Sequence, residues 1–103
     1  MNLRSAMVVA LIALAQPGLA SDDPKVANCE ATADIARMAM LERKKGQNQD
    51  EATAFLMSDA AQIDALYHQV VPAMVGWIYT LEAQHLNESA VTAFRAQCLD
   101  YAS

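Results

Sequence analysis

Two cysteines, Cys29 and Cys98, limit the fold of this 103-residue chain more than any other feature. If they are joined, the disulfide closes a loop of 69 residues. Restricting the unfolded chain in this way stabilises the fold by about 4 kcal/mol, which is comparable to the net stability of a domain of about 80 residues. The alternative is a redox-active or metal-binding pair, but there is no Cys-x-x-Cys spacing and no histidine close by in sequence. We therefore predict a single structural disulfide.

The first twenty residues have the features of a secretory leader, which would deliver the cysteines to an oxidising compartment. Arg4 supplies a positive charge, an apolar run extends from Ala6 to Ala15, and small residues precede a cleavage point after Ala20. The run has roughly ten residues, whereas a helix that spans a bilayer needs about 20. We predict a signal peptide over residues 1–20 and a helical disulfide domain over residues 21–103, periplasmic or secreted and without a stable membrane anchor. The alternative is an uncleaved N-terminal membrane helix.

The charge of the predicted mature domain excludes some partners. Once Arg4 is removed, six basic residues face 12 acidic ones, which gives a net charge of −6. Such acidity disfavours binding to nucleic acid and to anionic membrane surfaces. A solvated acidic surface explains the excess, and attraction of a basic partner is the second interpretation.

Helix-forming patterns cover almost the whole domain, and no strand pattern is present. Residues 26–45 lack Gly and Pro and end at Gly46, a residue suited to helix termination. Asn48 with Glu51 forms a capping-box-like start for a short helix over residues 49–57. Arg43 and the lysines after it suit the negative end of the first helix. The residues before Val26, including Pro24, are expected to form a flexible lead-in.

Two further helices are predicted in the second half of the chain. Apolar residues follow a three-four spacing from Ile63 to Leu81, which predicts one helix kinked near His68 by Pro72. Asn87 is a plausible N-cap for the last helix, whose predicted buried stripe is Ala90, Val91, Phe94, Cys98 and Tyr101. The fold class is therefore all-α, a small three- or four-helix bundle closed by one disulfide. The disulfide should place the first and last helices side by side and antiparallel.

The spacing of several residues resembles that of a group of small exported two-cysteine helical proteins of bacteria and their phages, whose function is unassigned. The matching positions cover nearly the whole predicted mature chain: Cys29, Met40, Arg43, Gly46, Tyr67, Pro72, Phe94 and Cys98. The sequence departs from the group at Lys44, where glutamine is usual, and at Leu66, which separates Ala65 from Tyr67. The resemblance implies an exported helical disulfide domain and no particular activity.

Residues capable of chemistry are few, and each has a structural explanation. The two histidines, His68 and His85, are 17 residues apart, and a metal site needs three or four ligands with supporting geometry. The carboxylates Glu30 and Asp34 share a helix face, but Arg37 lies one turn beyond Asp34 and could pair with it. The methionines are explained as core filling. We predict no metal, no cofactor and no enzymatic activity.

The segment from Val70 to Tyr79 is apolar on nearly every side of a helix. Such a helix is either central or leaves one face exposed for a partner. The predicted contact residues are Val71, Val75, Trp77 and Tyr79.

The function predicted from these features is that of a small periplasmic, non-catalytic partner-binding protein. It would be an inhibitor, an immunity-type protein or an accessory factor, and its partner would be another protein or a second copy of the chain. The alternative is an acid-stress periplasmic chaperone of the HdeA type, which exposes apolar surface in acid as its carboxylates lose their charge.

Overall fold

The computed structural model describes residues 23–102, which form four α-helices. The helices are α1 (Pro24–Lys44), α2 (Gln49–Leu56), α3 (Val71–Thr80) and α4 (Glu88–Ala102). Three 3-10 segments connect them, Asp59–Ala61, Ala65–Val70 and Ala83–His85, and residues 23–102 contain no strand. A disulfide joins Cys29 to Cys98. The predicted all-α bundle closed by one disulfide is thus confirmed. The predicted leader, residues 1–20, lies outside the described residues.

Local sequence signals set both ends of α1. Asp23 caps the helix by accepting a hydrogen bond from the Lys25 N–H at 2.9 Å, and Pro24 occupies the first helical position, where its missing donor costs nothing. The predicted flexible lead-in around Pro24 is therefore wrong. At the other end Gly46 has φ +95°, and the N–H groups of Gly46 and Gln47 bond back to carbonyls of the last turn. This left-handed termination is the predicted role of Gly46.

The α1 helix is central because each of the other three helices packs on it. Its buried face is rich in alanine at positions 33, 36 and 39, and these small side chains let neighbouring helices approach closely. By contrast, the backbones of α3 and α4 stay apart, and the two helices meet through their side chains. The buried apolar core gathers Ala33, Ile35, Ala36, Ala39, Met40, Ala52, Leu56, Val71, Val75, Ile78, Leu86 and Val91.

The region predicted as one kinked helix is two separate elements. The chain forms a 3-10 segment over Ala65–Val70, and α3 begins only at Val71 with Pro72 in its first turn. Proline fits a first turn because no hydrogen-bond donor is needed there, so the chain starts a helix at this point instead of bending one. Leu66, predicted to be buried, is 67% exposed. The His68 Nε2 atom lies 2.9 Å from the Ile63 carbonyl oxygen.

The predicted caps of α2 and α4 are both present. Asn48 and Glu51 form a reciprocal capping box with two bonds of 2.8 Å. The Asn87 Oδ1 atom accepts from the Ala90 N–H at 3.3 Å. Tyr101, predicted to be buried, is 94% exposed.

The disulfide indicates an oxidising compartment outside the cytoplasm. Within residues 23–102, every helix is too short or too polar to cross a membrane.

Candidate functional site

Two of the four predicted contact residues belong to the core. Val71 and Val75 have no exposed surface, because the face of α3 that carries them lies in the core where α3 packs against α1 and α2. Their burial corrects the prediction that they contact a partner, since neither can be reached in the folded chain. This face of α3 is core, although the central helix of the bundle is α1.

Tyr79 is half-buried and fixed by contacts within the chain. Its hydroxyl donates to the Gln47 carbonyl oxygen at 2.6 Å, and the Arg43 guanidinium carbon lies 5.5 Å from the centre of its ring. Burial raises the pKa of the Tyr79 hydroxyl, and the nearby Arg43 charge opposes that rise. Tyr79 therefore helps to hold α3 on α1.

Arg43 joins the same two helices in a way that the sequence did not suggest. Its Nη1 atom donates to the carbonyl oxygens of Ile78 and Leu81, each at 2.7 Å. These carbonyls lie at the C-terminal end of α3, where the last carbonyls lack an α-helical partner four residues on, and the Ile78 oxygen also accepts from the Leu81 N–H at 3.3 Å. The positive charge predicted to suit the end of its own helix thus also caps a neighbouring one.

Trp77 is the predicted contact residue that borders an open surface. It lines a groove of about 610 Å³ between α3 and α4, and its ring centre lies 5.4 Å from that of Phe94 across the gap. The two rings are tilted by 33°, within the range of favourable aromatic pairs. The residues lining the groove are Met74, Trp77, Leu81, His85, Asn87, Ser89, Ala90, Ala93, Phe94 and Gln97.

The groove follows from how the helices pack. The backbones of α3 and α4 each pack on α1 and stay apart from each other, and the two helices meet through the side chains of Trp77 and Phe94, which leaves an open groove beside these rings. Ala90 and Ala93 have small side chains, so α4 projects little into the groove at these positions. The rings of Trp77 and Phe94 meet between the two helices. None of the described residues that line it is Asp, Glu, Lys or Arg; uncharged Asn87, Ser89 and Gln97 supply most of its polar groups. The surface can therefore bind apolar groups.

The groove continues along α4 toward the end of the helix. A second open concavity of about 450 Å³ lies on Phe94, Gln97, Cys98, Asp100 and Tyr101, and it shares Phe94 and Gln97 with the groove. Sequence reasoning missed this surface because Phe94 and Tyr101 were assigned to a buried stripe. The stripe spans about 100° of the helix, which is ordinary for a face that packs on one neighbour, so the sequence carried no signal that Phe94 and Tyr101 lie at an open surface.

The α4 wall is attached to α1 by an antiparallel series of links. The Cys29–Cys98 disulfide is followed by a bond of 3.0 Å between Glu30 and Arg95. At the far end, the Arg37 Nε atom lies 2.7 Å from a carboxylate oxygen of Glu88. Hydrogen bonding to Arg37 lowers the pKa of Glu88, and the same bond raises the pKa of Arg37 above its usual value. This arrangement confirms that α1 and α4 lie side by side and antiparallel.

The carboxylates considered for catalysis have structural partners. Asp34 pairs with Arg37, as the spacing suggested, and Glu30 pairs with Arg95. A smaller concavity of about 260 Å³ includes Asp34 and Asp64, but Asp64 accepts from the Leu66 N–H at 2.8 Å as a helix cap. Among residues 23–102, no three histidine, cysteine or acidic side chains are grouped closely enough to hold a metal ion.

Comparison of the chain with protein-family models, with curated proteins and with solved structures found no match.

Proposed function

We propose that this protein is a non-catalytic binding protein of the periplasm and that it holds a protein partner in the groove between α3 and α4. The observation that carries the proposal is an open, uncharged groove floored by Trp77 and Phe94. Large aromatic side chains contribute most to binding at protein interfaces, because they bury much surface and lose little conformational freedom. The groove volume of about 610 Å³ lies within the range of about 300–1,000 Å³ that is typical of small-molecule pockets, so the groove can receive several apolar side chains of a partner.

The compartment is proposed from the leader-like residues 1–20 together with the disulfide. Removal of the leader after Ala20 would release a chain whose stability depends on oxidation of Cys29 and Cys98. A bacterial periplasm supplies that oxidation.

The chain contains one tryptophan, and it lies in the groove, so its fluorescence reports directly on the site. We expect a neutral apolar dye such as Nile red to shift the Trp77 emission as it binds. Ala93→Arg places a long charged side chain in the groove and should weaken dye binding by about tenfold or more. Ala96→Arg is the matched control, since Ala96 is exposed on the same helix and does not line the groove.

Equal dye affinity in the native chain, Ala93→Arg and Ala96→Arg would show that the groove is not the binding surface. Absence of any change in Trp77 emission would also count against the proposal. Circular dichroism of both variants checks that the helices are retained.

An acid-stress chaperone is the second candidate function, and the attachment of α4 favours it. The surface links between α4 and α1 include two carboxylate–arginine pairs, which weaken as the carboxylates are protonated. Loosening α4 would widen the groove and expose its apolar floor. This candidate requires that the chain suppress aggregation of unrelated proteins at about pH 3 and not at pH 7. Failure to protect any of several clients at low pH would exclude it.

A further inference from the structure

We propose that the Cys29–Cys98 disulfide is a redox switch for the groove. When the bond is reduced, the second half of α4, residues 92–101, separates from α1, and the groove loses the wall that this half provides. The proposal rests on the proposed function and adds the regulation of the same site. Three observations support it: how this half of α4 is held, which residues it carries, and which sulfur a reductant can reach.

The second half of α4 is weakly held apart from the disulfide. Val91 is the last residue of the described helix whose side chain is buried, and every side chain from Thr92 to Tyr101 is exposed or half-buried. This half is joined to α1 by Cys98 and by the exposed pair of Arg95 with Glu30, and such pairs stabilise little. A helical segment of about ten residues is marginal in water without tertiary contacts. Without the disulfide, this half should therefore lose its helical order before α1, α2 and α3 do.

The same half of α4 carries residues that complete the groove. Ala93, Phe94 and Gln97 line the groove, and its continuation lies entirely on this half of the helix. Phe94 also supplies the ring that meets Trp77. The opposite wall, α3, keeps its place because its inner face is part of the core. Reduction should therefore remove one wall and leave the other, so that an occupant loses half of its contacts.

The two sulfurs of the disulfide differ in accessibility. Cys29 is 1% exposed, whereas Cys98 is half-buried and lines the open concavity that continues the groove. A thiolate of a dithiol reductant can therefore attack the Cys98 Sγ atom from this concavity. The attack forms a mixed disulfide between the reductant and Cys98, while Cys29 leaves as a thiolate and takes up a proton.

The second thiol of the reductant completes the reaction. It attacks the reductant's own sulfur in the mixed disulfide, and Cys98 leaves as a thiolate that is then protonated. Two electrons pass from the dithiol, which becomes a cyclic disulfide, to the protein, which gains two thiols.

Such a switch would make binding depend on the compartment. Disulfides do not persist in a reducing cytoplasm, and they form in a bacterial periplasm. The groove would therefore be incomplete before export and complete after it. The partner would be bound only where the chain is oxidised.

Nile red binding to the full chain, before and after reduction with dithiothreitol, tests the proposal. If fewer than about one reduced molecule in ten has a complete groove, the dye affinity falls by about tenfold or more. Amide hydrogen exchange should show protection lost from residues 92–101 and retained in α1 and α3. The control is Cys29→Ala/Cys98→Ala, which should bind the dye weakly without reductant and should not respond to dithiothreitol.

The rate of reduction tests whether the folded chain can be switched. Attack on Cys98 through the concavity needs no global unfolding, so the rate should change little in 1 M urea. A bond that is reached only in the unfolded chain would be reduced about fivefold faster or more, because urea raises the unfolded population by about that factor per molar.

Equal dye affinity in the oxidised and reduced chains would overturn the switch while the proposed function stands. Loss of helix from α1, α2 and α3 on reduction would also overturn it, since the bond would then hold the whole fold and not one wall. A fivefold faster reduction in 1 M urea would have the same consequence. If the oxidised chain binds no dye, the proposed function fails, and retained protection of residues 92–101 after reduction would show separately that the disulfide does not hold this half of α4.

Discussion

The two walls of the groove, α3 and α4, are attached to α1 in different ways. The α3 wall contributes Val71, Val75 and Ile78 to the core, each without exposed surface. On the α4 helix itself, Val91 is the buried apolar residue among those described, at 2% exposure, and Leu86 just before the helix is 7% exposed. Fully buried apolar side chains are therefore more numerous on α3 than on α4, although α4 lies along more of α1.

The polar contacts that hold α3 are also stronger than those that hold α4. Arg43 connects α1 to the end of α3, and Tyr79 connects α3 to Gln47 in the linker after α1, in each case through partly buried hydrogen bonds to backbone carbonyls. The ion pairs that connect α1 to α4 are exposed, and such pairs contribute about 0–1 kcal/mol each. The covalent Cys29–Cys98 bond must therefore supply much of the stabilisation that α3 receives from buried side chains and polar contacts and that α4 does not. The comparison shows a site with one fixed wall and one wall whose position depends on oxidation.

Removing the disulfide tests this difference with the largest expected effect. In Cys29→Ala/Cys98→Ala, we expect the free energy of unfolding to fall by about 4 kcal/mol, because the unfolded chain is no longer restricted by the 69-residue loop. Urea unfolding of the variant and of the native oxidised chain measures the change. Amide hydrogen exchange should show greater loss of protection in α4 than in α3.

An unchanged urea midpoint would show that the disulfide does not stabilise the fold. If exchange protection fell more in α3 than in α4, the contrast between the walls would be wrong. If the variant is unfolded in water, the loss is at least as large as the free energy of unfolding of the native oxidised chain.

The helical elements could be predicted because their signals are local. Gly46 ends α1, and Asn48 with Glu51 begins α2, through bonds to backbone groups no more than a few residues away. The pairing of Cys29 with Cys98 was equally accessible, since two cysteines allow one intramolecular disulfide.

The arrangement of the groove could not be predicted because it depends on which helices fail to meet. Apolar periodicity marks a face as apolar and does not say whether another helix covers it. Val75 and Trp77 therefore looked alike as contact candidates, although one is core and the other borders the groove. Pro72 was similarly ambiguous, since the same residue bends a helix in its interior and begins one in its first turn.

Two arginines on α1 offer a matched test of the polar links. Arg43→Met removes two charge-assisted hydrogen bonds to the end of α3, and we expect a loss of about 2 kcal/mol in the free energy of unfolding. Arg37→Met removes only exposed ion pairs with Asp34 and Glu88, and its expected loss is below about 1 kcal/mol. Urea unfolding of both variants measures the difference. A larger loss for Arg37→Met would reverse the contrast between the two walls.

The smallest effect concerns the pH dependence of the α4 attachment. Arg37 lowers the pKa of Glu88 from its usual 4.5, with the nearby charges of Arg95 and Lys44 acting in the same direction, whereas partial burial opposes the change. A carboxyl group whose pKa is lower in the folded state stabilises the fold above its unfolded-state pKa, and this stabilisation disappears as the pH falls through the folded-state pKa. The native chain should therefore be slightly more stable than Glu88→Gln at pH 7, and the two should converge below about pH 4. Urea unfolding at a series of pH values measures this difference.

The control is the same comparison in an Arg37→Met background. There the effect of Glu88→Gln on the free energy of unfolding should become smaller at every pH, because the coupled partner is gone. A difference that persists undiminished at low pH would mean that Glu88 stabilises α4 through packing and not through its charge.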